Sequence, residues 1–593
     1  MKFPYGISDF REIVMQHYFY CDRTHFIRIL EDTGNYLLFI RPRRFGKSLL
    51  LSMLEHYYDV TLADQFQSLF ANLKIGPQPT PLHNMFFILK WDFSCVDSTG
   101  SVNDIRKSLF DHVNACIRSF ALYYRPLLST RIDIDSDNAI NSIKSVVDAV
   151  RQTPYSIYLL IDEYDNFANE VMMDALDGRK TYEALVYEKG PLKTLFKAVK
   201  SLSVSNAFAR TFITGVSPVV LSDITSGYNI AENIYLSPTF NVLCGFEEHE
   251  VQLALSGIVQ SCNMDESQAA ITLDTMRTWY NGYRFAADVR EMVYNPTLSL
   301  FFMKAFQQFC AHPDQLLDAN LAVDEAKLQY ISQLSQGRQM ILDLMQTDHC
   351  LELQSISDRF GIRQMLSASS KGQTFMASLL YYFGMLTQAG KTEQGQLRLK
   401  VPNLVMRGLY VERLQELLLP EPVMRDDGRL AAEKLYMYGE MAPLCEFVEQ
   451  RYFKIFHNRD YRWANELTVK TAFLTLLYND ILYVMDSEKE ISRRYADLTM
   501  IRKSDMRHVK VYDILIEFKF VPLSEAGLSG EDAARLSNEA LQAVSAMKEK
   551  MADALAQVAD YGEAIRRKYG DLNLRCYAVV SLGYERIWWQ AQV

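Results

Sequence analysis

The feature that most constrains this chain is a Gly-Lys-Ser tripeptide between an apolar run and an amphipathic segment. The run Tyr36–Ile40 has the pattern of a buried strand and leads directly into Arg41–Ser48, and Leu49–Tyr58 then reads as a helix. In a strand, loop and helix of this kind, backbone N–H groups of the loop and of the helix N-terminus face a phosphate group. The order of these segments therefore predicts a phosphate-binding loop at the end of a strand.

Two side chains of this loop have the chemistry that a nucleoside triphosphate requires. Lys47 would reach the β- and γ-phosphate oxygens, and the Ser48 hydroxyl would be a ligand of Mg²⁺. We therefore expect ATP and Mg²⁺ as cofactors. Arg41 stands where such loops usually begin with glycine, so the opening turn must form without the freedom of glycine at positive φ. Taken alone, the tripeptide is also compatible with a helix start capped by glycine. The predicted nucleotide-binding residues of the loop are Arg43, Arg44, Phe45, Gly46, Lys47, Ser48 and Leu49.

A second apolar run ends in two acids, roughly 115 positions downstream of the loop. The run Tyr158–Ile161 precedes Asp162, which would hold Mg²⁺ through water, and Glu163, which would orient or deprotonate the water that attacks the γ-phosphate. Two carboxylates at a strand end can also cap a helix. Thr214 ends another apolar run, and we expect either a sensor of the γ-phosphate or a turn residue there.

The spacing of apolar runs predicts how the chain is divided. Four short runs alternate with helical segments up to about residue 240, which indicates a parallel α/β sheet. We predict a P-loop ATPase core over residues 1–240, a helical lid over 241–320 and a helical, winged-helix-like region over 321–420. Two prolines and an Asp-Asp-Gly sequence suggest a linker at Pro420–Gly428. A further domain covers residues 435–593, and we expect a long helix in it near Glu531–Tyr569.

Composition excludes several classes of protein. A chain of 593 residues with 49% hydrophobic and 23% charged residues forms folded domains and is too long for a single core. No apolar stretch is long enough to cross a bilayer, and neither a secretory leader nor a disulfide framework is indicated, so we expect a cytoplasmic protein with reduced cysteines. Residues 441–593 hold 21 basic and 22 acidic side chains, so nearly all of the net charge of −10 lies upstream. A nucleic-acid partner near the C-terminus is therefore permitted.

Three residues near the C-terminus indicate a second chemistry. In the predicted strand Tyr512–Phe520, the two-residue period places Glu517 and Lys519 on one face. Asp497 lies in a preceding apolar run that can return as an antiparallel neighbour. Burying two carboxylates among apolar residues is costly without a compensating cation, so we predict Mg²⁺ held by Asp497 and Glu517. Lys519 would orient the attacking water or counter the developing charge. A Glu-x-Lys sequence on a strand can also be part of a solvated edge.

Several short motifs together resemble the bacterial AAA-ATPase-like family. The resemblance covers nearly the whole chain and implies a P-loop ATPase domain whose loop typically reads RPRRFGKS, so the missing glycine is a family trait. Members commonly end in a PD-(D/E)XK nuclease-like domain. The motifs that carry the resemblance are Arg41–Ser48, Ile161–Asp165, Phe212–Val216, Trp279–Tyr283 and Tyr294–Pro296.

The C-terminal residues resemble the core of a PD-(D/E)XK nuclease. Asp497 corresponds to its first acid and Glu517 to Lys519 correspond to its Glu-x-Lys motif, while the resemblance assigns Glu466 and Gln557 to the lining or support of the active site. The implied architecture is α/β throughout: a P-loop NTPase parallel sheet with a helical lid, a helical or winged-helix-like middle region, and a C-terminal restriction-endonuclease-like domain.

The resemblance also implies a function. It implies ATP hydrolysis coupled to Mg²⁺-dependent cleavage of nucleic acid, with DNA as the expected substrate, in defence or in the control of mobile elements. The alternative is a nucleotide-switched scaffold whose nuclease-like domain binds nucleic acid or a protein without cleaving. A homo-oligomer remains open, and no membrane partner is expected.

Overall fold

The computed structural model describes most of the chain. The described residues are 1–166, 190–203, 207–218, 230–313, 316, 322–334, 336–345, 350–357, 372–456, 466–479, 482–486, 489–491, 494–503, 506–507, 509–570 and 572–592.

The chain forms two compact units. The first contains residues 1–313 and 351–403, and the second contains residues 314–350 and 404–593. Residues 321–420, predicted as one region, are therefore shared between the two units. The division of the chain into four functional regions stays a prediction.

The first unit is built on a five-stranded parallel sheet with the order β2-β3-β4-β1-β5. This confirms the α/β class and the parallel sheet that the apolar runs predict. β4 stands between β1 and β3, so the loop after β1 and the acids after β3 are two strand spacings apart, about 10 Å. The strands are β1 (Tyr36–Ile40), β2 (Phe86–Asp92), β3 (Ser156–Asp162), β4 (Phe208–Gly215) and β5 (Glu232–Asn233).

Helices and a small antiparallel sheet complete the first unit. The small sheet has the order β6-β8-β7, formed by β6 (Leu351–Leu353), β7 (Thr387–Lys391) and β8 (Leu397–Lys400). Short 3₁₀ segments lie at Val60–Gln65, Phe93–Cys95 and Pro238–Phe240. The α-helices are Phe10–Met15, Phe26–Thr33, Lys47–Tyr58, Phe66–Phe70, Val102–Tyr123, Ala139–Val150, Pro191–Ser203, Glu248–Ser261, Ser267–Tyr280, Pro296–Phe309 and Gln373–Tyr382.

The second unit contains a five-stranded mixed sheet with the order β15-β14-β13-β12-β9. β12 and β13 are antiparallel, as the polar turn between them suggests, and β13 and β14 are parallel. β10 and β11 form a separate antiparallel pair. The strands are β9 (Tyr483–Asp486), β10 (Lys489–Ile491), β11 (Arg494–Ala496), β12 (Leu498–Arg502), β13 (Asp513–Val521), β14 (Leu574–Leu582) and β15 (Arg586–Gln592).

Several helices of the second unit pack on this sheet. The long C-terminal helix packs its Met551, Val558 and Ile565 into a core shared with β13 and β14. A π-helical turn spans Val448–Tyr452. The α-helices are Ala322–Gln333, Gly337–Leu344, Leu404–Leu418, Pro422–Tyr438, Ala442–Phe447, Phe453–Phe456, Glu466–Leu477, Leu523–Ala526, Gly530–Ala534, Asn538–Ala543 and Ser545–Tyr569.

Three sequence-based expectations are wrong. The predicted linker Pro420–Gly428 is largely the beginning of the helix Pro422–Tyr438, because proline is tolerated in the first helical turn. The single helix expected near Glu531–Tyr569 is three helices, and the strand Arg586–Gln592 was not predicted. The expectation of reduced cysteines fails at Cys262 and Cys310, which form a disulfide. In the described residues, no helix is long and apolar enough to cross a membrane.

Candidate functional site

The phosphate loop leaves the sheet at Arg41. The Arg41 N–H donates to the Gly215 carbonyl at 3.2 Å, so this residue still follows the edge of β1 next to β4. The turn comes later, at Arg44 (φ 67°) and Gly46 (φ 89°), both in the left-handed region. A positive φ is uncommon for arginine and costs conformational energy. The loop therefore turns without glycine at position 41 by placing Arg44 in a strained conformation.

The helix that follows the loop begins at an uncapped N-terminus. Lys47–Tyr58 starts after Gly46, which has no side chain to accept hydrogen bonds from the first turn. A cluster of backbone N–H donors at a helix N-terminus is a binding site for an anion. This local geometry fits a phosphate group.

Of the two principal side chains of the loop, Lys47 binds carbonyls of the loop itself and Ser48 contacts the end of β3. Lys47 is buried and its Nζ donates to the Arg41 carbonyl at 3.1 Å and to the Pro42 carbonyl at 3.0 Å. The Ser48 hydroxyl donates to Asp162 Oδ2 at 2.6 Å. A hydroxyl and a carboxylate in contact form a set of hard oxygen ligands, which fits Mg²⁺. Burial lowers the pKa of Lys47, and the negative charge of Asp162 opposes this shift.

Thr214 supports Asp162. Its side chain is fully buried at the end of β4, and its hydroxyl donates to the other carboxylate oxygen, Asp162 Oδ1, at 2.6 Å. The contact orients the carboxylate toward Ser48. The two roles considered for Thr214 did not include this one, because pairing across neighbouring strands is not visible in the sequence.

Glu163 has an unusual backbone beside Asp162. Its φ is 47°, and its N–H donates to Asp162 Oδ1 at 3.0 Å. Burial raises the pKa of the Glu163 carboxyl, and the positive charge of Lys47 opposes the shift. A carboxylate with a raised pKa on a strained backbone suits a group that accepts a proton.

Asp165 links the segments that follow β3 and β4. Asp165 is fully buried and accepts hydrogen bonds from the backbone N–H groups of Val216 and Ser217, at 3.0 and 2.7 Å. The segment after β3 is therefore fixed against the segment after β4.

The remaining predicted loop residues contribute in different ways. The Phe45 ring is buried against Tyr283 and Phe285, so only its backbone is available to a ligand. Arg43 donates to Asn166 Oδ1 at 2.8 Å, and Leu49 is half-buried in the first turn of the helix.

Arg41 is held in a buried cage. Its guanidinium donates to three backbone carbonyls, those of Ile40, Tyr235 and Phe240, at 2.7 to 2.8 Å. It also lies 3.9 Å from the centre of the Phe285 ring. Burial lowers the pKa of Arg41 to about 10, so the group stays charged at neutral pH. The cage joins the start of the phosphate loop to the segment after β5.

The second predicted site forms at the junction of β12 and β13. The Phe518 N–H donates to Asp497 Oδ2 at 2.8 Å, and the Asp497 N–H donates to Glu517 Oε2 at 3.4 Å. Lys519 Nζ donates to Glu517 Oε1 at 2.9 Å. The structure therefore brings Asp497, Glu517 and Lys519 together, as the two-residue period and the antiparallel pairing suggest.

The helix Glu466–Leu477 adds a second lysine that the sequence analysis missed. Lys470 is 5% exposed, and its Nζ lies 3.3 Å from Asp497 Oδ1. It follows Glu466 by one helical turn, so the two side chains share a helix face. That i, i+4 spacing was the available signal.

The charges of this cluster act on each other. Burial, and then the charge of Asp497, raises the pKa of Glu517 to about 7, while Lys519 opposes the shift. Burial also raises the pKa of Glu466, which Lys519, Lys470 and Lys550 oppose and Asp497 increases. Burial is the largest cause of both shifts, and the nearby lysines offset it only in part. An additional cation fits such a site.

Gln557 lies on the long helix Ser545–Tyr569, half-buried and two turns after Lys550. Its Oε1 is buried and, within the described residues, accepts no hydrogen bond. In the described parts of the chain, no hydrogen bond joins it to Asp497 or Glu517. An unpaired buried amide oxygen is what a bound water molecule or a ligand would satisfy.

A third acidic group has a different character. Glu247, His249 and Glu250 place ligand atoms within 4.8 Å of one another. Arg23, however, forms ion pairs with Glu250 and, at 3.7 Å, with Glu247. Because a guanidinium already supplies the positive charge, this group is best described as an ion-pair network.

Comparisons with known proteins agree with the geometry of the N-terminal region. Residues 4–225 match the AAA-ATPase-like family, described as predicted AAA-ATPase. The match contains β1 to β4 and therefore the phosphate loop, Asp162 and Thr214. It supports nucleotide binding by this region.

Two further similarities were found. Over 556 residues the chain is 25% identical to an "Uncharacterized protein in vnfD 5'region" of Azotobacter chroococcum mcd 1, covering 89% of this chain and 90% of that protein. A solved structure of the Aeropyrum pernix ORC1 protein in complex with DNA aligns with a TM-score of 0.25 and 10% identity, covering 69% of this chain and 98% of that chain.

Proposed function

We propose that this protein binds and hydrolyses ATP and that ATP controls a Mg²⁺-dependent nuclease site in the second unit. The observation that carries the ATP site is the contact between Ser48 and Asp162 beside the buried Lys47. The loop, the uncapped helix and the two acids after β3 have the arrangement that phosphoryl transfer from a triphosphate requires.

The protein's own residues have distinct tasks at the ATP site. The helix N-terminus and Lys47 bind the phosphates, Thr214 orients Asp162, and Glu163 accepts a proton from the attacking water. Mg²⁺, held by Ser48 and Asp162, would supply positive charge to the phosphate oxygens.

The nuclease proposal rests on the contacts among Asp497, Glu517 and Lys519. Asp497 and Glu517 would hold Mg²⁺, Lys519 would orient the attacking water, and Glu466 and Gln557 would complete the wall of the site. The expected substrate is nucleic acid, because a metal and a lysine at one strand end can polarise a phosphodiester. The expectation of DNA comes from the family resemblance alone.

The test is a cleavage assay on the full-length protein. Single- and double-stranded DNA and RNA are incubated with Mg²⁺, with and without ATP, using the wild type, Glu517→Gln and the exposed control Glu525→Gln. We expect cleavage by the wild type and the control and none by Glu517→Gln. Cleavage that survives Glu517→Gln would reject this site.

One observation favours a second function. Asp497 and Glu517 each already contact a lysine, Lys470 and Lys519 respectively. Such a site can be stable without a metal and can serve as a binding surface whose access is switched by nucleotide. Intact substrate under every condition, together with ATP-dependent retention of nucleic acid or of a protein partner, would support this alternative.

A further inference from the structure

The helix Pro296–Phe309 contacts the phosphate loop at the residue where the loop turns. The Thr297 hydroxyl donates to the Arg44 carbonyl at 3.1 Å, although the two residues are 253 positions apart in the sequence. Arg44 is the arginine whose φ of 67° lies in the left-handed region. The contact therefore connects a helix that follows the parallel sheet to the strained part of the loop.

The position of Thr297 is fixed by the start of its helix. Pro296 is the first helical residue, where the fixed φ of proline suits the helix. The buried Asn295 accepts from the Leu298 N–H at 3.2 Å, and its own N–H donates to the Tyr280 carbonyl at 3.0 Å. Thr297 lies inside this capped turn and is half-buried. Its hydroxyl is therefore a donor that the fold holds in place.

The carbonyl that accepts this hydrogen bond belongs to the peptide group between Arg44 and Phe45. In a trans peptide group, the C=O and the N–H point in opposite directions. Because the Arg44 carbonyl is directed at Thr297, the Phe45 N–H is directed away from Thr297. One hydroxyl thus sets the direction of a backbone donor in the phosphate loop.

The Phe45 N–H has no acceptor within the described parts of the chain. Phe45 is 1% exposed, and a buried N–H group in a folded protein nearly always has a partner. The next residue, Gly46, begins the uncapped helix that starts at Lys47. The donor therefore lies beside the other N–H groups that can surround a single anion.

We propose that Thr297 is a positioning residue of the ATP site, which orients the Arg44–Phe45 peptide group so that the Phe45 N–H donates to a phosphate oxygen. The inference rests on the proposed binding of ATP and adds that the helix Pro296–Phe309 helps to set the affinity. A strained backbone such as that of Arg44 persists only where surrounding contacts hold it. Without the hydroxyl, bound nucleotide must order the loop itself, which costs affinity.

The first test is equilibrium binding of ATP with Mg²⁺ to the full-length wild type, Thr297→Val and Thr297→Ser. Valine has the shape of threonine without the hydroxyl, whereas serine keeps the hydroxyl. We expect Thr297→Val to bind ATP about five- to tenfold more weakly, since one hydrogen bond is lost, and Thr297→Ser to bind like the wild type.

Thr275→Val is the matched control. Thr275 is also a half-buried helical threonine, and its hydroxyl donates to the Ile271 carbonyl at 3.2 Å within the helix Ser267–Tyr280. The control should bind ATP like the wild type. A Thr297→Val variant that binds as well as this control would overturn the inference while leaving ATP binding intact, and so would a serine variant as weak as the valine variant.

The second test is amide hydrogen exchange at Phe45, which needs no variant. ATP should slow exchange of this N–H in the wild type, because a phosphate oxygen becomes its acceptor. With saturating ATP, the protection should be smaller in Thr297→Val than in Thr275→Val. Exchange at Phe45 that bound ATP does not slow would overturn the inference alone. A wild type that binds no ATP would reject the proposed function and the inference with it.

Discussion

Arg41 shows how a single buried charge can be accommodated without a carboxylate. Its guanidinium is 1% exposed, and it contacts three backbone carbonyls and the rings of Phe39 and Phe285. The planar donors of arginine match several carbonyls at once, and its flat face stacks on aromatic rings. Position 41 therefore uses the size and donors of arginine where other loops use the absence of a side chain.

The first prediction concerns Arg41→Lys. Lysine keeps the charge but cannot reach three carbonyls or stack between two rings, so buried acceptors lose their partners. We expect a loss of about 2–4 kcal/mol in the free energy of unfolding. Denaturant unfolding measures it, with the exposed Arg118→Lys as the control. A loss no larger than that of the control would contradict the importance of the cage.

The second prediction concerns Glu163→Gln. The amide retains the shape of the side chain but cannot accept the proton of the attacking water, so ATP binding should persist while turnover falls about 10²–10⁴-fold. Phosphate release and equilibrium binding of ATP are the two measurements. Equal losses of binding and turnover would instead indicate a role in holding the nucleotide.

The third prediction concerns how Glu250 affects the stability of the protein at acid pH. Burial alone would raise the pKa of Glu250, but its hydrogen bonds and ion pair with Arg23 outweigh burial and lower the pKa below 4.5. Because the pKa of Glu250 is lower in the folded state than in the unfolded state, its ionised carboxylate stabilises the fold at pH values above the unfolded-state pKa. This stabilisation is lost as the pH falls below about 4.5. The Tm difference between the wild type and Glu250→Gln should thus be large near pH 7 and shrink below pH 4.5. A pH-independent difference would be evidence against this pairing.

At the scale of elements, the clearest difference from the prediction is the helix Pro422–Tyr438, which stands where the sequence suggests a linker. The proline and the glycine of its sequence are typical of loops, yet Pro422 occupies the first turn and Gly428 allows close packing on Leu476. The sequence shows the residue types but not the neighbour that makes a small residue necessary.

The fourth prediction uses that close packing. Gly428→Val should destabilise the second unit by about 1–3 kcal/mol, because the added side chain overlaps Leu476 and Phe447. Thermal unfolding with the exposed Arg429→Ala as the control measures the effect. If the Gly428→Val variant unfolds at the same temperature as the control, the segment is loosely packed and the prediction is wrong.

Local pattern was sufficient for the parts of the fold that depend on neighbouring residues. The strand Tyr36–Ile40, the glycine-led helix after it and the common face of Glu517 and Lys519 follow from periodicity. Contacts between distant segments could not be predicted. The contact of Thr214 with Asp162 depends on the order of the strands in the sheet. The contact of Lys470 with Asp497 depends on how a helix packs across a sheet. The pairing of Cys262 with Cys310 depends on two helix ends that lie side by side.

At the scale of the whole molecule, each compact unit carries one cluster of acids and lysines that fits a divalent cation. The first cluster lies at the ends of β1, β3 and β4, and the second lies between β12 and β13. In both clusters, burial raises the pKa of a carboxyl group, and the positive charge of a nearby lysine partly offsets the shift. In the proposed function, the first cluster serves nucleotide turnover and the second serves phosphodiester cleavage.

The central claim is that ATP controls cleavage by the second unit. Its most direct test is the initial rate of DNA cleavage with Mg²⁺, with and without ATP, for the wild type, Lys47→Ala and Glu517→Gln. We predict that ATP changes the rate in the wild type, that Lys47→Ala abolishes this response, and that Glu517→Gln abolishes cleavage while phosphate release continues. A cleavage rate unaffected by ATP and by Lys47→Ala, or cleavage that persists in Glu517→Gln, would contradict it.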